Sequence, residues 1–463
     1  MVHPHNSTHS TQPCSRRLLP DRGRKLVRAT ALGLTCATLV ATAACGSTNA
    51  DKQSVTIWAW EPTLKQVADD FAKAHPEIKV SLTNVGTGND EYTALNNAMS
   101  AGSGAPDVVQ VGYESIPEFA LKGSLVDLKD RTKGWDDFFT PGTWSQINYA
   151  GGVYGLPMDS GPMAFFYNKT VFDKAGVTEA PKTWDEFYET AKKIRATGSY
   201  IINDTGDVGI FESMVWQAGG TPFVTKDNAV SLSLTSDAGV RKVLDLWQRL
   251  IDEDLIDTTT KDWTDDWNRG FGDGSIAATI KGAWMPANLV SGAPSAAGQW
   301  RVAPIPQWSE SGPRVNAENG GSSLQLVAGS EDNDAAWQFL EYATHSREGI
   351  DTRVKLGAFP ADNGTLESED FLKATTIRDS DGKNVDYFGG QAFNEVLAQA
   401  AAEVKPGFEF LPFEVYARTV YTDAIGPGFI DGSRLSDHIK QWQDILATYG
   451  KSQGFDIATK TTK

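Results

Sequence analysis

The stretch VTIWAWEPTLKQVADDFAKAHPEIKVSLTN, residues 55–84, decides the fold. Its first six residues, apolar except for Thr56, predict a strand over 55–60. An apolar stripe at helical spacing follows, made of Leu64, Val67, Ala68 and Phe71. The helix is predicted to stop at His75-Pro76, because proline cannot continue it. Residues 78–82 then alternate apolar and polar side chains, which predicts a second strand.

The same alternation continues through residue 111. A second helical face, formed by Tyr92, Leu95, Ala98 and Met99, precedes the apolar run at 108–111. Strand, helix, strand, helix, strand predicts right-handed crossovers and a parallel sheet. Ligands of such sheets lie beyond the carboxyl ends of the strands. This argument singles out Trp60-Glu61 after the first strand and Tyr113-Glu114 after the third.

A second α/β block begins after the stretch GLPMDSGPMAFFYNK, residues 155–169. Thr183 and Glu186 form a predicted capping box at the start of a helix. The stripe through Val243 and Trp247 predicts another helix, and residues 276–280 predict a strand that leads to Trp284. The glycine-rich segment at 270–274 is expected to end a helix. A chain of 463 residues exceeds what one core usually organises, so two domains are expected.

The first 45 residues have the pattern of an export signal. Basic residues between Arg16 and Arg28 precede an apolar run at 29–44, and Cys45 follows Thr42-Ala43-Ala44. This order predicts a lipoprotein signal peptide over 1–44, with Cys45 lipidated after cleavage, and a tether over 45–54. The alternative is an ordinary cleavable signal that ends near Ala44, with an incidental cysteine.

Charge and composition exclude several classes of function. The formal net charge is −17 at pH 7, which repels phosphate backbones, so no nucleic-acid partner is expected. Cleavage before Cys45 would remove Cys14 and Cys36, and a single thiol cannot form an internal disulfide. His75, His345 and His438 are the histidines beyond the leader, and none has a metal-ligand spacing. We therefore expect neither a metal nor a cofactor.

Aromatic residues are abundant, with 14 Trp, 12 Tyr and 21 Phe. Three tryptophans, Trp247, Trp337 and Trp442, are on helical stripes and are expected in the core. Trp60 and Trp284 differ because each follows a predicted strand end, where a side chain faces the cleft. An indole can pack on the C–H face of a sugar ring while nearby carboxylates accept its hydroxyls. Carboxylates are also numerous enough to leave a glycosidase pair open as an alternative.

The chain resembles a known family through a series of motifs. These are VTIWAW, APDVVQVGYE, GSLVDL, GGVYGLPMDSGPMAFFYNKTVFDKAGV, PKTWDEF, FGDGSIAATIKGAW and ENGGSS. Their order is similar to that in the extracellular solute-binding proteins of carbohydrate ABC importers, especially the maltose-type members and actinobacterial lipoproteins. The resemblance implies an α/β fold with two lobes, the type II periplasmic-binding-protein fold. Each lobe would have a mainly parallel sheet flanked by helices, and several hinge crossings would join them.

The resemblance also implies domain boundaries and site residues. The first lobe would span 55–158 plus about 322–360, and the second about 161–318 plus 361–463. Trp60, Glu61, Tyr113, Glu114 and Asp159 would face the ligand from the first lobe and first crossing. The second crossing and second lobe would contribute Asn319, Gly320, Trp284, Phe413 and Tyr416. Asp159 has an alternative role as a turn cap, and Gly320 could serve only to permit the crossing.

These features predict a receptor without enzymatic activity. It would bind a di- or oligosaccharide between its lobes, close by hinge motion and deliver the sugar to the permease subunits of an ABC importer. We expect a monomer, lipid-anchored on the extracellular face of the cell membrane. The alternative is a secreted glycoside hydrolase that uses paired carboxylates such as Glu114 and Asp159. A receptor for peptides or metals fits the histidine-poor, aromatic-rich composition less well.

Overall fold

The computed structural model describes residues 53–331, 333–379 and 381–460. The predicted signal peptide over 1–44, the lipidated Cys45 and the tether up to residue 52 lie outside the described residues. The first strand already begins at Gln53, which is inside the predicted tether.

The strands and helices alternate along most of the chain. The strands are β1 (Gln53–Trp58), β2 (Ile78–Thr83), β3 (Val108–Gly112), β4 (Asn148–Tyr149), β5 (Gly152–Val153), β6 (Leu156–Pro157), β7 (Met163–Asn168), β8 (Phe223–Lys226), β9 (Ala229–Leu232), β10 (Ala278–Gly282), β11 (Trp300–Pro304), β12 (Ser322–Leu326), β13 (Ile377–Arg378), β14 (Asn384–Val385) and β15 (Asp456–Thr459). The helices are α1 (Thr63–Ala74), α2 (Asn89–Ala101), α3 (Ile116–Leu121), α4 (Pro141–Gln146), α5 (Lys169–Lys174), α6 (Trp184–Arg195), α7 (Val208–Gln217), α8 (Ala238–Asp252), α9 (Asp265–Asp273), α10 (Met285–Gly292), α11 (Asp334–Thr344), α12 (Arg347–Lys355), α13 (Asn363–Leu366), α14 (Glu369–Leu372), α15 (Phe393–Ala402), α16 (Glu414–Asp431) and α17 (Leu435–Ser452).

The first lobe is built on a five-stranded sheet in the order β2-β1-β3-β12-β6. β1 pairs in parallel with both β2 and β3, which confirms the arrangement predicted for the first three strands. β12 comes from much later in the chain and is antiparallel to β3. The apolar stripe of α1 is buried against this sheet, with Leu64, Val67 and Phe71 fully inside. Burial of that stripe explains why the short α1 is stable here.

The second lobe contains a three-stranded sheet in the order β10-β7-β11. Both neighbours of β7 are antiparallel to it, so the mainly parallel sheet predicted for this lobe is wrong. The reason is the path of the chain. β7 enters the lobe directly from the first crossing, whereas β10 and β11 both end beside the point where β7 begins, because Gly282 pairs with Met163 and Pro304 with Ala164.

The helices of the second lobe follow the periodicity of the sequence. Thr183 Oγ1 accepts a hydrogen bond from Glu186 N and caps α6, while the Glu186 carboxylate accepts from Lys182 N instead of from the cap residue. Gly274 ends α9 with φ of 80°, as expected for the glycine-rich segment. Trp247 and Trp442 are buried in the core of this lobe.

Among the described residues, three segments connect the lobes. The first crossing links Met158, in the first-lobe core, to Met163, in the second. The second crossing returns from Ala317 to Leu324. The third runs from Ala361 towards Leu366. These crossings agree with the predicted two-lobed fold, and the exact lobe boundaries stay a prediction.

Candidate functional site

The candidate site lies where the carboxyl ends of β1 and β3 meet the crossings. Gln110, a buried residue on β3, accepts hydrogen bonds from the backbone N–H groups of Trp60 and Glu61, both at 3.0 Å. Its amide group donates to Ser322 Oγ at 2.9 Å, at the start of β12. The loop that follows β1 is thereby fixed to the sheet and to the second crossing.

Trp60 and Glu61 are partly exposed at this edge. The Trp60 ring packs edge-on against Tyr92, with centroids 6.1 Å apart. The Glu61 carboxylate accepts from Thr63 N at 3.2 Å and from the Thr63 hydroxyl, so it caps the first turn of α1. Glu61 therefore has a structural partner as well as an accessible edge.

A buried cation that the sequence analysis did not single out lies beside Glu61, and its charge also acts on Asp159. Arg353, on α12, is 2% exposed; its Nε lies 4.0 Å from Glu61 Oε2, and it donates to the Met158 carbonyl. Asp159 Oδ1 accepts from Ser322 N at 2.5 Å and from Ser322 Oγ at 3.0 Å. Burial raises the pKa of Asp159 to about 6, although the Arg353 charge acts in the opposite direction. Asp159 thus clamps the second crossing through a contact between distant parts of the chain, which differs from the local turn cap given as its alternative role, and its contact with ligand stays a prediction.

Tyr113 does not present its hydroxyl to the cleft. Its ring is 2% exposed, and its hydroxyl donates to the Asp159 carbonyl at 2.6 Å. The hydroxyl is thereby already used to brace the first crossing, and the contact of Tyr113 with ligand stays a prediction. Glu114 remains partly exposed and accepts from the Tyr92 hydroxyl at 3.3 Å.

Glu318 joins the first and second crossings. Its carboxylate accepts from Ser160 Oγ at 3.0 Å and from Gly161 N. Burial raises the pKa of Glu318 to about 8, only partly offset by these two hydrogen bonds. A carboxyl group at the pivot is therefore held mainly protonated at neutral pH.

Asn319 and Gly320, in the second crossing, lie beside Trp284. Asn319 is buried, its N–H donates to the Gly161 carbonyl at 2.6 Å, and its side-chain amide donates to Ser213 Oγ at 3.2 Å. Its carbonyl accepts from Trp284 Nε1 at 2.7 Å. Gly320 has φ of 78°, which favours glycine. Asn319 therefore has a structural role here, and the main chain of this crossing orients the Trp284 indole.

Trp284 belongs to an aromatic cluster that includes a residue the sequence analysis did not single out. The Trp263 ring lies 5.6 Å from the Trp284 ring, inclined at 35°, and 5.0 Å from the Trp267 ring. Trp267 is buried, whereas Trp263 is 60% exposed. Thr264 caps α9, since its hydroxyl accepts from Trp267 N. That cap was a readable signal that Trp263 precedes the helix and belongs to a loop.

Phe413 and Tyr416 are not at this site. Phe413 is 3% exposed and packs against Tyr449 and Phe455 in the core of the second lobe, so its predicted ligand contact is wrong. The Tyr416 ring stacks on Tyr449 with centroids 3.5 Å apart. It lines a surface groove formed with α17. The first turn of α16 directs these two aromatic side chains into the lobe and onto α17.

A second cation, partly exposed and also not singled out by the sequence analysis, comes from α16. Arg418 Nη2 donates to Glu212 Oε2 at 2.5 Å, and Arg418 Nε donates to Glu414 Oε1 at 3.3 Å. Burial raises the pKa of Glu212, although the Arg418 charge opposes that rise. The charge of Glu114, in the first lobe, also acts on Arg418. The positive charge of Arg418 therefore pairs with Glu212 and Glu414 and also attracts the predicted residue Glu114.

The site combines indoles, carboxylates, the buried Arg353 and the partly exposed Arg418 where the lobes meet. Within 53–331, 333–379 and 381–460, no group of three or more histidine, cysteine, aspartate or glutamate side chains is placed to hold a metal ion. In the same part of the chain, no helix is both long and apolar enough to cross a bilayer. The chemistry that this set of groups supports is recognition of a polar ligand with apolar faces.

The sequence profile of the bacterial extracellular solute-binding proteins matches residues 59–348. The chain belongs to this family. The matched segment includes Trp60, the first two crossings and the Trp263–Trp284 pair. The predicted membership of the family and its two-lobed fold are thereby confirmed.

Several relatives are solute-binding proteins for sugars. The lactose-binding protein of Rhizobium radiobacter is 27% identical over 446 residues, which cover 92% of this chain and 99% of that protein. An ABC transporter associated binding protein from B. animalis subsp. lactis Bl-04, solved in complex with beta-1,6-galactobiose, is 52% identical. It covers 88% of this chain and 100% of its own, with a TM-score of 0.80. The galacto-N-biose-/lacto-N-biose I-binding protein of Bifidobacterium longum, at 24% identity and TM-score 0.74, covers 88% of this chain and 98% of its own and shares the fold.

Proposed function

We propose that this protein is the sugar receptor of an ABC importer, which binds a di- or oligosaccharide between its lobes and delivers it unchanged to the permease. The observation that carries the proposal is the position of the Trp284 indole. The indole donates a hydrogen bond to the Asn319 carbonyl in the second crossing. Asp159 binds the same crossing at Ser322. An indole face beside carboxylates supplies both the apolar and the hydrogen-bonding parts of sugar recognition.

The ligand that we propose is a short β-galactoside. The relative with 52% identity was solved with beta-1,6-galactobiose, and another relative is named for lactose. Both sugars contain a galactose unit. An accessible edge of Glu61 and the Glu114 carboxylate are the groups that we propose to accept its hydroxyls, since both remain partly exposed.

We propose hinge closure as the mechanism of capture. The lobes are joined by three crossings, and the Glu318 carboxylate ties the first two together at the pivot. A sugar that touches both lobes binds the closed state more tightly than the open one and shifts the population towards it. We further propose that the receptor is a monomer held on the outer face of the membrane by lipid on Cys45.

Calorimetric titration tests this function directly. Purified protein, expressed without residues 1–44, is titrated with β-1,6-galactobiose, lactose and maltose, and the sugar is recovered afterwards for chromatography. Saturable binding with one sugar per protein and recovery of intact sugar supports the receptor. Sustained release of monosaccharide would establish the glycoside hydrolase alternative, with Glu114 and Asp159 as the first residues to replace. Absence of binding across a broader glycan panel would refute the proposed sugar specificity.

A further inference from the structure

We infer that Trp263 is a second sugar-stacking residue, which makes the site select ligands of at least two rings, and that the buried Lys281 ion cluster holds it in position. This inference rests on the proposed sugar-binding function. It concerns the residue that separates a disaccharide from a monosaccharide.

Exposure is the first observation. Trp263 is 60% exposed, although it is a large aromatic residue beside the buried Trp267. Tryptophan side chains are usually largely buried in folded proteins, so an exposed indole gains little stability from burial. Its ring adjoins that of Trp284, whose Nε1 donates to the second crossing. The open surface of Trp263 is therefore continuous with the site.

Backbone conformation is the second observation. Trp263 has φ of 65°, in the left-handed region where a bulky side chain is an outlier. Such strain costs about 1–3 kcal/mol and persists only where the surroundings impose it. Folding alone would favour glycine or asparagine at this position. The strain places the indole outside the α9 core, which is the outcome that ligand contact requires.

The surroundings that impose this conformation are polar and largely shielded from solvent. Asp262 accepts from Asn203 Nδ2 at 2.6 Å through one oxygen and from Lys281 Nζ at 2.5 Å through the other. Asn203 also donates to the Thr260 carbonyl at 3.0 Å and accepts from Trp267 Nε1 at 2.9 Å. The residues on both sides of Trp263 are therefore anchored to the lobe.

Lys281 connects this loop to the rest of the site. Its side chain is buried and donates to Asp207 Oδ2 at 2.8 Å as well as to Asp262. Asp207 caps α7, accepting from Gly209 N at 2.8 Å. Lys281 is also on β10, three residues before Trp284. The strand thus leads directly to one indole and anchors the loop that carries the other.

The geometry of the two indoles argues for two sugar rings. Their centroids are 5.6 Å apart and their planes are inclined at 35°. The rings are already in contact with each other, so a sugar cannot enter between them and has to lie across their outer faces. Because the two faces are not coplanar, each suits a different ring of a bent disaccharide. A monosaccharide on Trp284 would leave Trp263 unused.

The test is a calorimetric titration of wild type and variants with β-1,6-galactobiose, lactose and galactose. Trp263→Ala is expected to weaken disaccharide binding by about 10- to 100-fold and galactose binding by less than about threefold. Trp263→Phe, which keeps an aromatic face, is expected to restore most of the lost affinity. Trp337→Ala, which removes a half-buried tryptophan of the first lobe, serves as the matched control and is expected to bind like wild type.

Positioning by Lys281 is tested by the ratio of disaccharide to galactose affinity. Asp262→Asn weakens the ion cluster while keeping an acceptor for Asn203, and is expected to lower that ratio by about 3- to 10-fold. A purely structural role would lower the melting temperature and leave the ratio unchanged. Trp263→Gly relieves the left-handed strain, so it should melt no lower than Trp263→Ala while losing the same affinity.

The outcomes separate this inference from the proposed function. If wild type binds none of the sugars in a broader glycan panel, the proposed function fails and the inference fails with it. If wild type binds a disaccharide and Trp263→Ala binds it equally well, the function stands and the role of Trp263 is refuted. An equal loss for disaccharide and galactose would refute the assignment of Trp263 to a second ring. An unchanged ratio in Asp262→Asn would refute positioning by the ion cluster.

Discussion

The Glu318 carboxylate accepts a 3.0 Å hydrogen bond from the Ser160 hydroxyl, and this contact ties the second crossing to the first. The pair lies at the point about which the lobes would rotate. Its partner atoms are buried, so the protonation state of one carboxyl group affects the pivot directly.

Stability is expected to fall as pH rises because of Glu318. Burial raises its folded-state pKa to about 8, above the usual 4.5. A raised pKa means that the folded protein holds a proton that the unfolded chain releases. The contribution of Glu318 to the free energy of unfolding is therefore complete below pH 4.5 and is lost as pH rises through 8. The slope for one such group is about 1.4 kcal/mol per pH unit between these values. Chemical denaturation of Glu318→Gln across pH 5–8 should show a shallower slope than wild type.

The matched control for this experiment is Glu189→Gln, which removes an exposed carboxylate on α6. Its stability should follow the wild-type curve across the pH range. Parallel curves for Glu318→Gln and wild type would contradict the assigned pKa.

Replacement of Glu91 should stabilise the protein. Glu91 is fully buried in the first turn of α2, and neither carboxyl oxygen has a hydrogen-bond partner among the described residues. Burial raises its pKa to about 8. Glu91→Met removes the unsatisfied group at similar volume and is expected to gain about 1–3 kcal/mol in urea unfolding at pH 7. Glu91→Gln keeps a buried polar group and should gain less. A less stable Glu91→Met protein would show that the carboxyl group has a role in folding.

Trp284→Ala should weaken sugar binding more than it lowers stability. Loss of a stacked indole and its hydrogen bond to the Asn319 carbonyl is expected to cost about 2–4 kcal/mol of binding free energy, or roughly 30- to 1000-fold in affinity. Titration and thermal unfolding are measured on the same sample. Trp442→Ala, in the second-lobe core, should do the reverse and lower the melting temperature while the folded fraction binds normally. The assignment fails if Trp284→Ala melts much lower with unchanged affinity.

Closure should be visible by solution scattering. Helix α16 already contacts the first lobe in two places, since Val415 N donates to Glu118 Oε2 at 2.9 Å and Asn89 Nδ2 donates to Thr419 Oγ1 at 3.3 Å. A sugar that bridges the lobes should reduce the radius of gyration. Trp284→Ala at the same sugar concentration should keep the sugar-free radius. An unchanged wild-type radius at verified saturation would argue against hinge closure.

Cys45→Ala should release the protein from the membrane. The prediction follows from the basic run, the apolar run and the small residues that precede Cys45. Metabolic labelling with a fatty acid, together with fractionation of cells and medium, measures the result. Loss of label with protein in the medium is expected. Persistent labelling of Cys45→Ala would place the lipid elsewhere.

Local periodicity was enough to predict most of the first lobe. Leu64, Val67 and Phe71 form an apolar stripe on one face of α1, and such a stripe packs against the apolar core. The strand direction in the second lobe could not be read in the same way. It depends on which strand leads out of a crossing, and the pairing of β7 with β10 joins residues more than a hundred positions apart.

The site was only partly predictable for the same physical reason. Trp284 and Asp159 follow strand ends, which local sequence reveals. Arg353 reaches the site from a distant helix, and its partner Met158 is 195 residues away. Burial of Phe413 depends on α17 and the segment after it, so its role could not be deduced from aromatic character alone. The exposure of Trp263 was not predicted, because its spacing of four residues from Trp267 is also that of two residues on one face of a helix.

The close approach of Gly161 to the second crossing constrains how the lobes can turn. A β-carbon at Gly161 would stand 2.5 Å from the Asn319 carbonyl oxygen, so the two crossings touch backbone to backbone. No compressible side chain separates them there to absorb a rotation. The twist then has to be taken up as torsion in the adjoining main chain, where Gly320 and Gly321, at φ of 78° and 92°, have the widest torsional freedom. A methyl group at Gly161 would act as a wedge between the crossings and alter the resting angle of the receptor without touching its ligand.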